Sequence, residues 1–378
     1  MGSKIENINL RKIKESQVSF PKDNPFENIK YLQALEESNS ASTESGWQAS
    51  HLGKINNGKL LSFLPLYKKF NSYGEFIFDY QWANALAGSG RNYYPKLLTA
   101  IPFTPCEGER VFGITREEKI ELINSGIEKL KKESIESWHI LFPNEDSREI
   151  LQQEKFIERY NYRFTWNNKG FSDFNDFLSI FTSRQRATIK KERKSIKKNN
   201  ISFVQRNFDQ ITLKDWDLFY SFYQQTYHDR GQNPYLTKDF FYKINSANQI
   251  LKPIIFFAYE DKKPIAASLC FRGNHTLYGR HWGAVKKVKN LHFECCYYQG
   301  IEYCIKNKIR YFDPGVQGEH KIRRGFEPKL TSSFHYFLKE DFEKAVRNYC
   351  DAEKVQIKNY LEVCKTYTPF NKDYKINS

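Results

Sequence analysis

Three short strand signals in a row, followed by a helix and one more strand, constrain the fold of this chain more than any other feature. The three apolar runs are separated by short polar turns and lie at 253–259, 264–271 and 276–282. Turns this short join antiparallel strands. A helical pattern over 291–306 then leads into a strand signal at 309–312. This order predicts an α+β (mixed α/β) fold, in which helices flank a central, mostly antiparallel mixed sheet.

The first half of the chain also mixes helices with strands. Its apolar runs at 60–67 and 75–80 flank a turn, which predicts a hairpin. Because 378 residues are more than one ordinary core accommodates, we expect two domains. Their predicted bounds are 1–165 and 166–378, and the second domain includes a C-terminal helix over 342–364.

Composition limits the class of protein. Apolar residues make up 40% of the chain and aromatic residues 16%, which suffices for packed cores and argues against global disorder. No apolar run is long enough to span a bilayer, and the first residues lack the apolar segment of a signal peptide. The cysteines form no paired C-x-x-C motif, so we predict neither a metal site nor a disulfide framework. We therefore expect a cytoplasmic protein.

The formal charge of +15 favours anionic partners. Part of this charge lies in a basic run over 184–198, where Glu192 is the single acidic residue. Such a run can bind RNA or anionic lipid, or it can be a solvated helix face. It lacks the interleaved aromatic residues of a surface that stacks single-stranded bases. A non-catalytic protein that binds RNA or an anionic surface therefore stays open as an alternative function.

The segment from Phe312 to Phe326 concentrates reactive side chains directly after the strand signal at 309–312. Its glycines let the main chain approach a ligand closely. Glu319 and His320 are side-chain types that move protons near neutral pH. The cations that could hold a phosphate or a carboxylate are Lys321, Arg323 and Arg324. The alternative is a surface turn whose charges are solvated, because loops carry both kinds of residue.

Further candidates precede this loop and occur in the first half. His292 and Glu294 lie at the start of the helix 291–306, where the helix dipole and free N–H groups favour an anion. Tyr93 lies three residues before Lys96, a combination suited to an anionic or carbonyl-bearing ligand. Each has a structural alternative, such as a helix cap or a packed surface aromatic.

Several stretches rich in Trp, His, Pro and Gly carry a family resemblance, and they lie at 44–47, 65–69, 74–79, 93–97, 101–105, 278–283, 291–300, 318–321 and 324–326. Through them the chain resembles the FemAB-like family of predicted N-acyltransferases, which is related to the peptidoglycan-bridge Fem transferases. The resemblance covers nearly the whole chain and implies tandem GNAT-like domains. The usual glycine-rich phosphate loop of GNAT enzymes is replaced here by the lysine-rich segment 285–290. A long coiled-coil insertion, present in some Fem enzymes, is absent from the sequence.

The resemblance implies transfer of an acyl or aminoacyl group to an amine. The expected donor is acyl-CoA or aminoacyl-tRNA, used as a co-substrate and not held as a tightly bound cofactor. The expected acceptor is a small-molecule or cell-wall-precursor amine, and tRNA is a candidate partner. The oligomeric state stays open.

Roles can be assigned to the candidates on this basis. The expected catalytic residues are Glu319, His320, His292 and Glu294, with Glu319 or His320 as the base that deprotonates the acceptor amine. The expected residues that bind substrate or co-substrate are Arg280, His281, Trp282, Lys321, Arg323, Arg324, Tyr93, Tyr94, Lys96 and Trp47. We expect Tyr93 and Lys96 to complete the site from the first domain, because ligand clefts tend to lie between domains.

Overall fold

The computed structural model describes residues 4–20, 24–316, 318–372 and 374, so Gln317 of the predicted loop lies outside the described residues. The strands, in chain order, are β1 Ile5–Asn7, β2 Trp47–Ala49, β3 Leu52–Asn56, β4 Lys59–Leu64, β5 Tyr67–Lys69, β6 Lys96–Thr99, β7 Ser137–Leu141, β8 Ile157–Asn167, β9 Ile201–Arg206, β10 Pro253–Glu260, β11 Lys263–Arg272, β12 Thr276–Ala284, β13 Tyr311–Asp313 and β14 Glu327–Phe337.

The α-helices are α1 Ile29–Glu37, α2 Tyr80–Gly88, α3 Arg116–Lys132, α4 Glu145–Gln153, α5 Phe174–Ser179, α6 Ser183–Lys198, α7 Leu213–His228, α8 Lys238–Ser246, α9 Asn248–Leu251, α10 Leu291–Phe293, α11 Gln299–Lys306 and α12 Glu340–Thr366. A π-helical turn, Glu294–Tyr298, links α10 to α11, and a 3-10 helix covers Glu319–Arg324. Shorter 3-10 turns lie at Leu10–Lys12, Glu15–Gln17 and Pro25–Glu27. None of the helices in the described part of the chain is long and apolar enough to cross a membrane.

The first compact unit comprises residues 1–162 and 330–359. Its main sheet has the order β2-β5-β6-β7-β14, in which β6 and β7 are parallel and the other neighbours are antiparallel. A parallel pair needs a crossover, and α3 supplies it. Leu122, Ile123 and Leu130 of α3 pack with Trp138 and Ile140 of β7, so one face of the helix closes the core. A small antiparallel sheet, β1-β3-β4, completes this unit.

The second compact unit comprises residues 163–329 and 360–378. Strands β9 to β12 pair antiparallel in chain order, and β10 and β11 are buried along most of their length, as their continuous apolar runs require. β13 is parallel to β12, and the end of β8 pairs antiparallel with β13. In each unit antiparallel pairs are therefore followed by a parallel pair and a further antiparallel pair, and the first unit begins with two antiparallel pairs whereas the second begins with three.

The predicted mixed α/β fold is confirmed, and the three strand signals correspond to β10, β11 and β12. The domain bounds differ from the prediction, because residues 330–359 return to the first unit instead of staying in 166–378. The predicted hairpin is wrong. β4 pairs with β3, and the predicted second strand, 75–80, is a loop over 75–79 that leads into α2 and whose Glu75 and Asp79 turn inward to bind Lys96.

Candidate active site

Asp313, the last residue of β13, joins two buried arginines in the second unit. Its Oδ2 accepts a hydrogen bond from Arg280 Nη2 at 2.8 Å and lies 3.0 Å from Arg163 Nη2. Its Oδ1 accepts from the main-chain N–H of Gly315 at 2.9 Å. Burial raises the pKa of Asp313, but the two arginines outweigh it, so the pKa lies below its usual value. The ionised carboxylate therefore fixes the start of the loop.

Arg280 reaches Asp313 from a bulge in β12. In the register of β11 with β12, Leu269 pairs with His281 and Cys270 with Gly279, which leaves Arg280 unopposed. A bulge re-aims a side chain and bends its strand. Since the pairing of β12 with β13 ends at Asp313, the bulge lies where these two parallel strands separate.

Lys321 is the most unusual group of the loop, because it is a buried lysine whose hydrogen bonds, among the described residues, go to neutral oxygens. Its Nζ donates to the carbonyl of Gly315 at 2.7 Å and to that of Val316 at 3.2 Å. Burial lowers the pKa of Lys321 to about 7; the charge of Asp313 opposes this shift, whereas Arg163 and Arg280 add to it. Near neutral pH the amine can therefore both accept and donate a proton.

Two glycines bound the 3-10 helix that carries Lys321. Gly318 has φ 103° and Gly325 has φ 86°, a backbone region that favours glycine. A Cβ at Gly325 would lie 2.8 Å from ring atoms of Phe177 and Phe181. The loop therefore packs directly on these rings, and the glycines are needed for its path.

Arg324 fixes the loop to α6. Its Nη2 donates to Glu192 Oε1 at 2.6 Å, and its Nη1 donates to the carbonyl of His320 at 2.8 Å. The guanidinium also lies 3.4 Å from the ring centre of Phe293, and Glu192 accepts a further hydrogen bond from Tyr298. Arg324 was predicted to bind substrate, but these contacts make it a residue that positions the loop.

His320 lies at the surface of the loop. Its Nε2 is 2.8 Å from the hydroxyl of Tyr297. Partial burial, followed by the charges of Arg324 and Lys321, lowers the pKa of His320, so the ring is neutral at pH 7. The neutral imidazole suits the predicted role of proton acceptor.

Glu319 and Arg323 are exposed. Glu319 Oε1 accepts from the hydroxyl of Tyr360 at 2.6 Å, and the carbonyl of Arg323 accepts from Gln185 Nε2 at 2.7 Å. The side chain of Arg323 is exposed to solvent, so its guanidinium is available to an anionic ligand.

Glu294 lies in the π-helical turn, a feature that often marks functional sites. Its carboxylate accepts from Arg193 Nη2 at 2.8 Å and from Gln299 Nε2 at 2.9 Å. Arg193 also binds Glu302 at 2.7 Å. These partners, and not the predicted partner His292, occupy the carboxylate, so Glu294 holds the helix start in place.

His292 and His281 lie in different surroundings. The ring of His292 contacts Trp282 edge-on, with centroids 5.4 Å apart, and keeps an exposed surface. Desolvation by the surrounding protein lowers the pKa of His292 to about 4. His281 packs 5.3 Å from the ring of Tyr223, and burial lowers its pKa to about 3. Both rings are neutral at pH 7, and His292 is the more exposed of the two.

The residues predicted in the first half form a buried cluster in the first unit. Lys96 Nζ donates to Ser72 Oγ and Glu75 Oε2, each at 2.8 Å, and to Asp79. Burial favours a lower pKa for Lys96, but Glu75 and Asp79 outweigh it and raise the pKa. Burial also raises the pKa of Glu75 to about 7. The hydroxyl of Tyr93 donates to Asp79 at 2.7 Å, which extends the network.

The other predicted aromatic residues line the same cluster. The hydroxyl of Tyr94 lies 2.7 Å from Ser72 Oγ. Trp47 is buried, and Lys69 Nζ lies 3.9 Å from its ring centre. Burial lowers the pKa of Lys69 to about 7. Tyr94 and Trp47 therefore serve the interior of the first unit.

A buried histidine pair in this unit is not predicted by any pattern in the sequence. His139 Nδ1 and His335 Nδ1 are 2.7 Å apart, across the antiparallel pair β7–β14. His139 Nε2 lies 3.1 Å from the hydroxyl of Tyr93, which connects the pair to the Lys96 cluster. Burial lowers the pKa of both histidines well below the usual value. One neutral ring therefore donates to the other.

A model of the FemAB-like family, described as peptidoglycan biosynthesis/recognition, matches residues 4–372. The chain belongs to the FemAB-like family. Membership supports an acyl or aminoacyl transferase connected with peptidoglycan biosynthesis, and the donor and acceptor are taken up below. No curated protein matches the chain.

Solved structures share the fold of this FemAB-like chain. The crystal structure of FemX is similar with a TM-score of 0.53 and 12% identity, covering 91% of this chain and 100% of FemX. A conserved protein of unknown function from Bacteroides thetaiotaomicron VPI-5482 has a TM-score of 0.50 and 10% identity, covering 89% of this chain and 100% of its own. At these identities the likeness concerns the fold alone.

Sequence reasoning missed several residues that build the site of this FemAB-like chain, namely Arg163, Glu192, Arg193, Tyr297 and Asp313. Asp313 carried a usable signal, since a carboxylate followed by Pro-Gly at the end of a strand often shapes a functional loop. Glu192 also carried a signal, because it is the single acidic residue of the basic run 184–198 and an isolated carboxylate of this kind is a candidate for a specific ion pair. Within the described residues no His, Cys, Asp and Glu cluster suited to a metal ion occurs.

Proposed function

We propose that this FemAB-like protein transfers an acyl or aminoacyl group from a CoA thioester or an aminoacyl-tRNA to an amine, either of a small molecule or of a cell-wall precursor. Lys321 carries the proposal, because it is a buried lysine with a pKa of about 7 in a loop bounded by glycines. Perturbed groups of this kind concentrate at sites that move protons. We place the reaction in the cytoplasm, where both donor classes are made.

The chemistry requires a proton acceptor and donors for a developing oxyanion. The acceptor ammonium must lose a proton before its nitrogen attacks the donor carbonyl carbon. Neutral Lys321 or His320 takes that proton. The tetrahedral oxygen gains negative charge, which a protonated Lys321 stabilises. When the carbon–sulfur or carbon–oxygen bond breaks, the stored proton passes to the leaving thiolate or alkoxide. The attacking nitrogen releases its second proton to solvent, and an amide is formed.

The exposed cation Arg323 and the aromatic surface at His292 and Trp282 are suited to the rest of the donor. A guanidinium binds phosphate in a bidentate manner, and both candidate donors carry phosphate. Glu319 is exposed and its carboxylate accepts a hydrogen bond from Tyr360, so its role in this proposal is to attract the acceptor ammonium and not to serve as the main base.

Donor consumption by the purified protein tests the proposal. Release of CoA thiol from acyl-CoA and deacylation of charged tRNA would each be followed with and without amine acceptors, including muropeptides that carry a free amine. We expect one donor class to be consumed only when an acceptor is present. Lys321→Gln should abolish this consumption. Lys308→Gln, the control at an exposed position in the same unit, should not. Consumption of neither donor with any amine would overturn the proposal.

The alternative function, binding without catalysis, depends on the exposed side of α6 alone and gives no role to Lys321. Retention of RNA by both wild type and Lys321→Gln, together with no donor consumption, would favour that alternative.

A further inference from the structure

Helix α6 has two faces with different tasks. Its inner face carries Glu192 and Arg193, which bind Arg324 and Glu294 of the candidate site. Ile189 and Ile196 on the same side are buried. The inner face of α6 therefore packs against the rest of the second unit, and the opposite side of the helix faces outward.

The outer face carries six cations and no acidic residue, with the small residues Ser183 and Ala187 between them. Its exposed basic residues are Arg184, Lys190, Lys191, Lys194, Lys197 and Lys198. At 100° per residue these six lie within an arc of about 140°, and at 1.5 Å per residue they span about 21 Å along the axis. The face forms one straight stripe.

The cations of this stripe differ from other exposed cations of the unit. Lys238 pairs with Asp217, and Lys286 pairs with Glu260, each at 2.7 Å. None of the six cations on the outer face of α6 forms an ion pair within the described part of the chain. Six like charges side by side repel one another, which costs stability unless an anionic partner is present.

We propose that the outer face of α6 docks on an anionic lipid bilayer. Clusters of four to eight Lys or Arg on one helix are typical of binding to acidic phospholipids. A straight stripe can bring all six charges to a flat surface at once. The stripe carries no aromatic side chain and no Asn or Gln, which are the groups that RNA-binding surfaces use to stack and read bases. It also carries no large apolar side chain, so the helix lies on the headgroups and does not insert.

Docking would act close to the candidate site. Glu192 and Arg193 are neighbours of Lys191 and Lys194 on the same helix, and they hold the loop and the π-helical turn. The bilayer therefore contacts α6, the helix that positions the candidate site. Docking can also keep the protein at the membrane, where lipid-borne acceptors occur. This inference is independent of the donor and of the transfer chemistry.

Vesicle co-sedimentation tests the proposal. The probes are vesicles of phosphatidylcholine alone and vesicles that also contain phosphatidylglycerol. We expect binding to the anionic vesicles only, with a steep loss as salt shortens the screening length. A variant with Lys190→Gln, Lys191→Gln, Lys194→Gln and Lys197→Gln should bind at least about 100-fold more weakly, since each lysine near an acidic surface contributes about fivefold.

The matched control removes the same charge elsewhere in the second unit, with Lys169→Gln, Lys214→Gln, Lys262→Gln and Lys263→Gln. These exposed changes should leave vesicle binding within about twofold of wild type if the location of the charge matters more than net charge. Circular dichroism would verify that both variants fold, and a second, milder variant with only Lys194→Gln and Lys197→Gln should show an intermediate loss.

Equal binding by the two quadruple variants, or no binding of wild type to anionic vesicles, would overturn the proposal. Retention of tRNA by wild type but not by the α6 variant, without any vesicle binding, would assign the stripe to RNA and also overturn it. Transfer to a soluble amine should be unchanged in the α6 variant, which separates this test from that of the transferase.

Discussion

Arg324 and Glu192 form an ion pair at 2.6 Å that ties the candidate loop to α6. Both side chains are largely buried, and Arg324 lies against Phe293. When one partner of a buried pair is removed, the other is left without compensation, which costs more than the pair itself contributes. The loop conformation thus depends on both residues together.

Single and double substitutions should show this dependence. We expect Glu192→Gln and Arg324→Met each to lower the free energy of unfolding by roughly 3 kcal/mol, and the double variant to lose clearly less than the sum. Urea unfolding measures all three. As a control, the exposed pair Lys365 and Glu362 should couple by less than about 1 kcal/mol. Additive losses for Arg324 and Glu192 would contradict the assignment.

The charges around Lys321 should shift the pH dependence of the transfer rate in opposite directions. Arg280→Gln removes a neighbouring cation, so the pKa of Lys321 and the midpoint of the rate should rise by roughly one unit. Asp313→Asn removes the neighbouring anion, so the midpoint should fall. A rate profile for each folded variant provides the measurement, and shifts of the same sign would count against Lys321 as the titrating group.

Lys96 should be needed for the stability of the first unit, because its Nζ donates hydrogen bonds to both Glu75 and Asp79. We expect Lys96→Met to lower the free energy of unfolding by roughly 3 to 5 kcal/mol at about pH 8. Without Lys96 the pKa values of both carboxyls rise, so the deficit should shrink towards about pH 5 as they become neutral. Lys54→Met, which breaks the partly exposed pair with Glu121, should cost less than about 1 kcal/mol at either pH. A deficit that does not depend on pH would refute the account.

The histidine pair should make the protein sensitive to acid. Both rings have a folded pKa far below the unfolded value, so the unfolded state binds more protons below about pH 6.5 and stability falls as pH decreases. His335→Phe should reduce the slope of stability against pH by about one proton. The control His275→Phe, at an exposed position, should leave the slope unchanged. An unaltered slope in His335→Phe would show that this ring is already charged in the folded protein.

The order of helices and strands could be predicted because β10, β11 and β12 are continuous apolar runs with short turns between them. The strand predicted at 75–80, where a loop leads into α2, is wrong for a definite reason. Its alternating pattern resembles a strand, but Glu75 and Asp79 bind Lys96, which lies 21 and 17 residues further along the chain. The pattern of neighbouring residues contains no information about a binding partner that lies so far along the chain.

The same limit applies to the candidate site. The sequence identified the loop with Glu319, His320 and its cations, but it could not say which cation is buried. Lys321 and Arg323 are two residues apart, and one lies in the interior while the other is in solvent. Glu192 and Arg324 are separated by 132 residues, so their pairing follows from the fold alone.

The rate of acyl transfer as a function of pH, in wild type and in Lys321→Gln, shows whether Lys321 is the group that moves the proton. We predict that the wild-type rate rises through about pH 7 and then levels off, because the neutral amine takes the proton. Lys321→Gln should retain at most about 1% of this rate and lose the rise, and Lys321→Arg should not restore it, since a guanidinium stays protonated. A folded Lys321→Gln protein with the wild-type rate and pH profile would show that Lys321 does not move the proton.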